Sequence, residues 1–116
     1  MRLVGALVML AAAAFAESPA VVGVWKNGDG AIIRTYEEQG QLKAKVEKGY
    51  AKAPAGKQLI WDMKKAQGKW TGGKLLDPAS GRIFNCTVEP AEGGKKLIVK
   101  GSLSLMTNTQ TWTRVE

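Results

Sequence analysis

The sequence predicts an all-β protein, a small antiparallel meander barrel of seven or eight strands. Turn-forming residues recur about every ten positions after the first twenty, and short alternating or β-branched runs lie between them, which is typical of an antiparallel meander. No segment has the periodicity of an amphipathic helix. Closing the sheet into a barrel would leave no exposed edge strands.

Residues 1–16 have the composition of a secretory signal peptide, so residues 17–116 are the predicted single domain. Arg2 supplies a positive start, an apolar stretch follows, and Ala-Phe-Ala at 14–16 has the form of a cleavage site. The apolar stretch is shorter than the about 20 residues that a membrane-spanning helix needs. We therefore expect a periplasmic or secreted protein with no transmembrane segment after cleavage.

The first half of this domain contains three predicted strands. Residues 21–26 form the first, which ends at the tight-turn sequence Asn-Gly-Asp-Gly. Residues 31–37 are rich in β-branched and aromatic side chains and form the second, and a Gln-Gly turn leads to the third at 42–48. Residues 49–57 contain proline and glycine and are a predicted loop. Residues 58–65 are compatible with a strand or a short helical turn.

Four more strands are predicted at residues 69–76, 82–89, 97–105 and 109–115, with turns at 77–81, 90–94 and 106–108. Gly72 and Gly73 predict a bulge or sharp bend, because they offer no side chains to pack. Asp77, Pro78 and Gly81 predict a tight structural turn. The Asp77 side chain can accept from nearby amides, Pro78 fixes φ, and Gly81 permits a left-handed exit.

The one cysteine of the chain, Cys86, cannot form an internal disulfide. It alternates with Phe84 and Val88 along a predicted strand, so we expect it to be a small buried apolar residue. A domain of one hundred residues can fold on its own core. Its stability must then come from packing.

The chain is basic, with 17 Lys and Arg against 10 Asp and Glu, and loss of Arg2 with the leader would leave a formal charge of about +6. In the third strand Leu42, Ala44 and Val46 alternate with charged residues, which predicts one buried and one solvated face. The lysines are either a solvated surface or a patch for an anionic component of the cell envelope. A nucleic-acid partner is not predicted, because no basic cluster is interleaved with exposed aromatic residues.

Neither a catalytic site, a metal site nor a cofactor is predicted. The chain has no histidine and a single cysteine, which excludes histidine-dependent nucleophilic catalysis and structural zinc. Acid–base catalysis by paired carboxylates would need two of them facing a pocket. Asp62 and Glu47 are the candidates for such a pair, and we expect neither to qualify.

Large aromatic side chains are the candidate ligand-binding residues: Trp25, Tyr36, Trp61, Trp70 and Trp112. Each can bury a large apolar area, and tryptophan also needs a partner for its ring N–H. In so small a domain they either form the packed core or line a cavity for a ligand.

Gly23, Trp25 and Arg114 are a candidate structural clasp. The first and last strands of a closed meander are neighbours, so Arg114 can lie across the face of Trp25. Such a cation–π contact contributes about 0.5–2 kcal/mol.

Three motifs carry a family resemblance: W-x-G-G-x-x-x-D-P-x-S-G-R at 70–82, K-L-x-V-x-G at 96–101 and T-W-T-R-V at 111–115. Together with Gly23-x-Trp25, they resemble the exported bacterial proteins of domain-of-unknown-function family 2147. That family has no assigned activity, so the resemblance implies the compartment and the fold. Gly23, Trp25 and Arg114 are also similar to the corresponding residues of lipocalin-like barrels, which carry small apolar ligands.

These observations predict a non-enzymatic exported barrel that binds a small apolar or lipid-like ligand. The alternative is an interaction or structural protein of the envelope, whose basic surface contacts an anionic partner. A cavity of ligand size inside the barrel would favour the first function, and a packed core would favour the second.

Overall fold

The computed structural model describes residues 18–116, so the predicted leader at 1–16 lies outside the described residues and stays a prediction. A short helix precedes eight strands, and a 3-10 turn separates the last two strands from the rest. The elements are α1 Ser18–Val21, β1 Gly23–Lys26, β2 Ile32–Glu38, β3 Gln41–Lys48, β4 Gln58–Ala66, β5 Lys69–Leu76, β6 Ile83–Ala91, the 3-10 turn Glu92–Gly94, β7 Lys96–Leu103 and β8 Met106–Arg114. Within residues 18–116, no helix has the length and apolar character to cross a membrane.

The eight strands form a closed antiparallel barrel in which each strand pairs with the next along the chain. β1 and β8 close it, with Trp25 opposite Arg114. Just beyond this pair, the backbone N–H of Val115 donates to the carbonyl of Val24 at 2.7 Å. The predicted meander barrel is therefore confirmed, with eight strands.

Alternating side chains fill the barrel interior. In β3, Leu42, Ala44 and Val46 are at most 1% exposed, while the charged residues between them lie on the outer face. Cys86 lies on the inner face of β6 and is 3% exposed. Both predictions of buried apolar positions are confirmed.

The segment that the sequence left open between strand and helical turn is strand β4. Leu42 pairs with Met63 and Ala44 pairs with Ile60, so β4 has one residue more than β3 between these pairs. Asp62 lies in this extra stretch with a φ of 62°, which makes a β-bulge. Because of the bulge, Ile60 and Met63 both face inward although they are three residues apart.

The predicted bulge in β5 is confirmed. The register of β5 against β6 shifts between Trp70 and Gly73, and Gly72 has a φ of 76°. A Cβ atom on Gly73 would lie 2.3 Å from the Sδ atom of Met63. Gly73 therefore lets β4 side chains pack directly on the backbone of β5.

The turn after β5 has the predicted chemistry. The carboxylate of Asp77 accepts from the backbone N–H of Ala79 at 3.2 Å and from the hydroxyl of Ser80 at 2.7 Å. The N–H of Gly81 donates to the carbonyl of Asp77 at 2.8 Å, and Gly81 has a φ of 77°. Pro78 follows Asp77 at the position where a fixed φ favours the turn.

The last hairpin differs from the prediction. Leu103 pairs with Met106, which leaves a two-residue loop of Ser104 and Leu105. Ser104 has a φ of 56°. Residues 106–108, predicted as a turn, belong to β8, and Asn108 borders the barrel interior.

The first strand also begins later than predicted, at Gly23. The carbonyl of Val21 accepts from the hydroxyl of Thr35, and the carbonyl of Val22 accepts from Arg114. Because side chains bind these two carbonyls, residues 21 and 22 do not join the strand ladder.

The connections divide between the two ends of the barrel. α1, the two short turns after β2 and β4, the 3-10 turn and the last residues lie at one end, which we call the closed end. The loops 27–31, 49–57, 77–82 and 104–105 lie at the other, the open end.

Candidate functional site

Arg114 fastens the closed end of the barrel. Its Nε donates to the carbonyl of Gly94 at 2.6 Å, its Nη1 to Val22 at 3.0 Å and its Nη2 to Ala20 at 3.2 Å. The centre of its guanidinium lies 4.3 Å from the ring centroid of Trp25. One side chain thus joins β8 to α1, to β1 and to the 3-10 turn.

Gly23 provides the space for this guanidinium. A Cβ atom on Gly23 would lie 2.2 Å from Nη1 of Arg114. The structure therefore brings Gly23, Trp25 and Arg114 together, in the arrangement expected of a clasp.

Thr35 is a polar residue of the closed end that the sequence analysis did not single out. It is 1% exposed, and its hydroxyl donates to the carbonyl of Val21. The same oxygen accepts from the indole N–H of Trp25 at 2.9 Å and from the N–H of Gly23 at 3.0 Å. A hydroxyl has one donor and two acceptor positions, and all three are used. The sequence did contain a signal for this role: Thr35 comes two residues after Ile33, so strand alternation places its hydroxyl on the inner face.

At the open end, a cavity lies between an apolar floor and a polar rim. Leu59, Phe84 and Trp112 form part of the floor. Its volume is about 40 Å³, whereas a cavity that admits benzene has about 150 Å³ and ligand pockets commonly have about 300–1,000 Å³. The barrel is therefore packed by its own side chains, as small barrels usually are.

Strand β8 supplies one polar wall of this mouth. Asn108, Gln110 and Trp112 alternate along the strand and all border the cavity. The indole N–H of Trp112 donates to Oε1 of Gln110 at 2.9 Å. Because this bond uses Oε1 of Gln110, the other hydrogen-bonding groups of β8 at the mouth are the amide N–H groups of Gln110 and the amide of Asn108. Their two-residue spacing before a tryptophan was a signal that the sequence analysis missed.

The loops opposite β8 carry the other polar groups of the mouth. The side-chain oxygen of Asn27 accepts from the N–H of Asp29 at 3.0 Å and from that of Ala31 at 2.9 Å, which fixes the loop 27–31. Burial, followed by the charge of Asp29 and a hydrogen bond with it, raises the pKa of Tyr50. Tyr50 is therefore a neutral phenol at pH 7, close to the Asp29 carboxylate.

The five aromatic residues named as candidate ligand-binding residues lie in different parts of the barrel. Trp25 lies at the clasp, Trp70 borders a depression at the closed end, and Trp112 lies under the mouth. Tyr36 and Trp61 lie on the outer wall of the barrel. Of the five, Trp112 borders the cavity at the open end, and a ligand-binding role for these residues stays a prediction.

Strand alternation explains the position of the two outer aromatics. Tyr36 follows the inward Thr35 in β2, and the Nζ of Lys45 lies 5.5 Å from its ring centroid. Trp61 follows the inward Ile60 in β4 and precedes the Asp62 bulge. The bulge changes the alternation only after Trp61, so this side chain stays outside.

A wide depression on the outer wall lies beside Trp61. We call it the outer groove; it has a volume of about 560 Å³, and Trp61, Leu76, Ile83, Lys43 and Lys57 are among its lining residues. It is shallow and open to solvent, and Ile83 is 49% exposed. The groove therefore presents both apolar and cationic groups at the surface.

The candidate carboxylates do not form a catalytic pair. Asp62 is exposed in the β4 bulge, and Glu47 accepts from Nε of Arg34 at 2.5 Å on the outer face. Burial raises the pKa of Cys86 to about 12, so its thiol is not a nucleophile at neutral pH. Within residues 18–116, no three His, Cys, Asp or Glu side chains are grouped so as to hold a metal ion.

Comparisons with known proteins agree with this architecture. The family described as "Uncharacterized protein conserved in bacteria (DUF2147)" matches residues 23–114. Among solved structures, protein HP1028 from Helicobacter pylori, described as belonging to the lipocalin family, matches with a TM-score of 0.69 and 18% identity over 83% of each chain. The comparison with curated proteins gives no match. Both resemblances drawn from the sequence are confirmed, and at this identity the second one concerns the fold.

Proposed function

Because the chain belongs to the DUF2147 family of bacterial proteins and has a lipocalin-like barrel, we propose that it is a non-enzymatic binding protein for a small molecule. The proposed site is the mouth at the open end. The observation that carries the proposal is the combination there of an apolar floor with amide, carboxylate and phenol groups on the rim. Such a pairing of apolar surface with a few polar groups is typical of small-molecule sites.

The two ends of the barrel support this choice of site. Arg114 ties the closed end with hydrogen bonds to three backbone segments. At the open end the amides of Asn108 and Gln110 border a cavity. A ligand that enters the barrel would therefore approach from the open end.

The packed interior restricts the ligand. Leu59, Phe84 and Trp112 occupy the space that a long acyl chain would need, and about 40 Å³ remains. We therefore propose a molecule with a small apolar group, which inserts between these side chains, and a hydrogen-bonding group, which contacts Asn108 and Gln110. The lipid-like ligand considered from the sequence is replaced by this smaller class.

We also propose that the protein acts in the periplasm or outside the cell. The support for this location is the sequence of residues 1–16, with its positive start, apolar stretch and Ala-Phe-Ala cleavage site.

Fragment screening by two-dimensional NMR tests the proposal. Molecules of about four to eight heavy atoms that pair an apolar with an amide or hydroxyl group are expected to shift the signals of Asn108, Gln110 and the Trp112 indole, because these groups line the mouth. Asn108→Trp, which fills the mouth, is expected to abolish the shifts. Thr109→Trp, on the outer face of the same strand, is the matched control. A screen whose fragments shift only outer-wall signals, or shift none, would contradict the proposal.

A second candidate function is an envelope interaction protein that contacts an anionic partner. The packed core favours it, because a protein without a large internal cavity acts through its surface. The lysines beside the outer groove favour it as well.

A further inference from the structure

Exposed apolar side chains gather at the open end of the barrel. Large apolar residues with substantial exposure in the described part of the chain are Tyr50, Ile83, Leu105, Met106 and Val115. Four of these five lie at the open end, and Val115 lies at the other end. Leu105 is 99% exposed, so no part of the fold covers it. This distribution is not the scatter of single apolar residues that a folded surface normally shows.

The tip of the last hairpin is the most exposed of these positions. Leu105 lies in a two-residue loop, where Asn-Gly or Gly-containing pairs are the residues that favour the turn. A leucine there adds neither turn preference nor packing to the fold. Its apolar side chain is therefore available to something outside the chain.

This tip lies close to the start of β6, where Ile83 lines the outer groove. The Nη1 of Arg82 lies 3.5 Å from the Sδ of Met106, which joins the hairpin to the start of β6. Ile83 pairs with Leu76 across the strands, and both line the outer groove together with Trp61. Apolar side chains are therefore exposed both at the hairpin tip and on the neighbouring outer wall, and we call these two surfaces together the strip.

Cations surround the strip at the open end. The open-end loops and the strand residues beside them carry these exposed basic residues: Lys26, Lys48, Lys52, Lys57 and Arg82. Over the same loops and adjoining strand residues the carboxylates are Asp29, Asp77 and Glu47, which is paired with Arg34, and Asp62 lines the outer groove. Asp29 lies close to Tyr50, and Asp77 accepts hydrogen bonds within its own turn. The excess of positive charge fits an anionic partner.

We propose that the open end docks on an anionic lipid bilayer. Leu105 and Met106 enter the interface between headgroups and acyl chains, and Trp61 and Ile83 lie at the headgroup level, where tryptophan is favoured. Arg82 and the open-end lysines contact the lipid phosphates. Docking in this orientation turns the mouth toward the membrane, but it does not depend on any ligand in the mouth.

Vesicle sedimentation tests the proposal with the full mature chain. The expected result is binding to vesicles of phosphatidylcholine with about 30% phosphatidylglycerol, weak binding to pure phosphatidylcholine, and loss of binding as sodium chloride rises from about 0.05 to about 0.5 M. No binding to either vesicle, or equal binding to both, would overturn it.

Matched variants locate the docking surface. Leu105→Ser is expected to weaken vesicle binding about tenfold, because one apolar side chain no longer enters the interface. Val115→Ser removes an exposed apolar residue at the opposite end and is expected to leave binding unchanged. Leu105 is fully exposed, so the fold should tolerate its substitution. Equal effects of the two variants would overturn the proposed orientation.

The charge contribution has its own pair of variants. Arg82→Gln is expected to weaken binding about fivefold, whereas Lys69→Gln, an exposed cation near the closed end, is expected to change it little. Circular dichroism of each variant checks the fold. A photoreactive residue placed at position 105 gives a further check. If it crosslinks to a protein from the envelope while vesicles of both compositions remain unbound, the strip is a protein-docking surface and the lipid proposal is overturned.

Discussion

Thr35 and Trp25 are joined by a hydrogen bond of 2.9 Å from the indole N–H to the threonine hydroxyl, in a fully buried setting. The hydroxyl donates its own hydrogen bond to the carbonyl of Val21. A single oxygen atom therefore connects the first two strands with the segment before them. The buried hydroxyl determines where the chain can begin its first strand.

Replacing Thr35 with valine should destabilise the protein. Valine has nearly the same shape but no hydroxyl, so the indole N–H of Trp25 and the carbonyl of Val21 would lose their partner inside the core. We expect the free energy of unfolding to fall by about 2–3 kcal/mol, measured by urea denaturation. Thr35→Ser keeps the hydroxyl and is expected to lose less than Thr35→Val. The reverse order would contradict this assignment.

Replacing Arg114 with alanine should lower the melting temperature. The change removes hydrogen bonds to three backbone carbonyls and the contact with Trp25. We expect a loss of about 2–3 kcal/mol, which is about 10 °C or more for a domain of this size. Arg82→Ala removes an exposed arginine and should shift the midpoint by less than a few degrees. A calorimetric scan in which both variants melt together would exclude the clasp.

Replacing Gly73 with alanine should strain the contact between β4 and β5. The new methyl group would meet the side chain of Met63 and the carbonyl of Trp61, 2.3 and 2.4 Å from the Cβ position. We expect a loss of about 1–3 kcal/mol from such overpacking, measured by chemical denaturation. Gly28→Ala, where nothing lies within 4 Å, is the control and should be near neutral.

Stability should fall at high pH because of Cys86. Burial raises the folded-state pKa of this thiol from an ordinary value of 9.0 to about 12. The unfolded chain therefore loses the proton first and is favoured as pH rises between these values. The contribution is absent below pH 8 and reaches about 1.4 kcal/mol of destabilisation by pH 10. Chemical denaturation is measured under reducing conditions at pH 8 and pH 10 for the parent protein and for Cys86→Ala. The difference between the two proteins separates the contribution of the thiol from the titration of lysines and tyrosines. Parallel pH profiles for the two proteins would mean that the thiol is not buried in solution.

Local features of the fold could be predicted from the sequence. The Asp77 turn depends on side-chain to backbone bonds within five residues, and Gly72 and Gly73 indicate a bulge by their own lack of side chains. The contact of Arg114 with Trp25 followed from a single topological rule, that the ends of a closed meander meet. In these cases the determining interactions are near in sequence or fixed by the topology.

The position of Trp61 could not be predicted in the same way. Its side depends on the register of β3 against β4, which shifts on both sides of the pair Ala44–Ile60, and this register cannot be seen before the strands pair. The volume of the cavity depends on how Leu59, Phe84 and Trp112 fill the interior, which is a property of packing in three dimensions. The turn of the last hairpin was placed too late because Asn108, a common turn residue, instead faces the barrel mouth.

Arg114 donates hydrogen bonds to the carbonyls of Val22 and Ala20, which precede it in the chain by 92 and 94 positions. The clasp therefore cannot form until the chain has been made from its first strand through Arg114. We therefore expect the chain to stay open while it is being made, and the barrel to close in one late step.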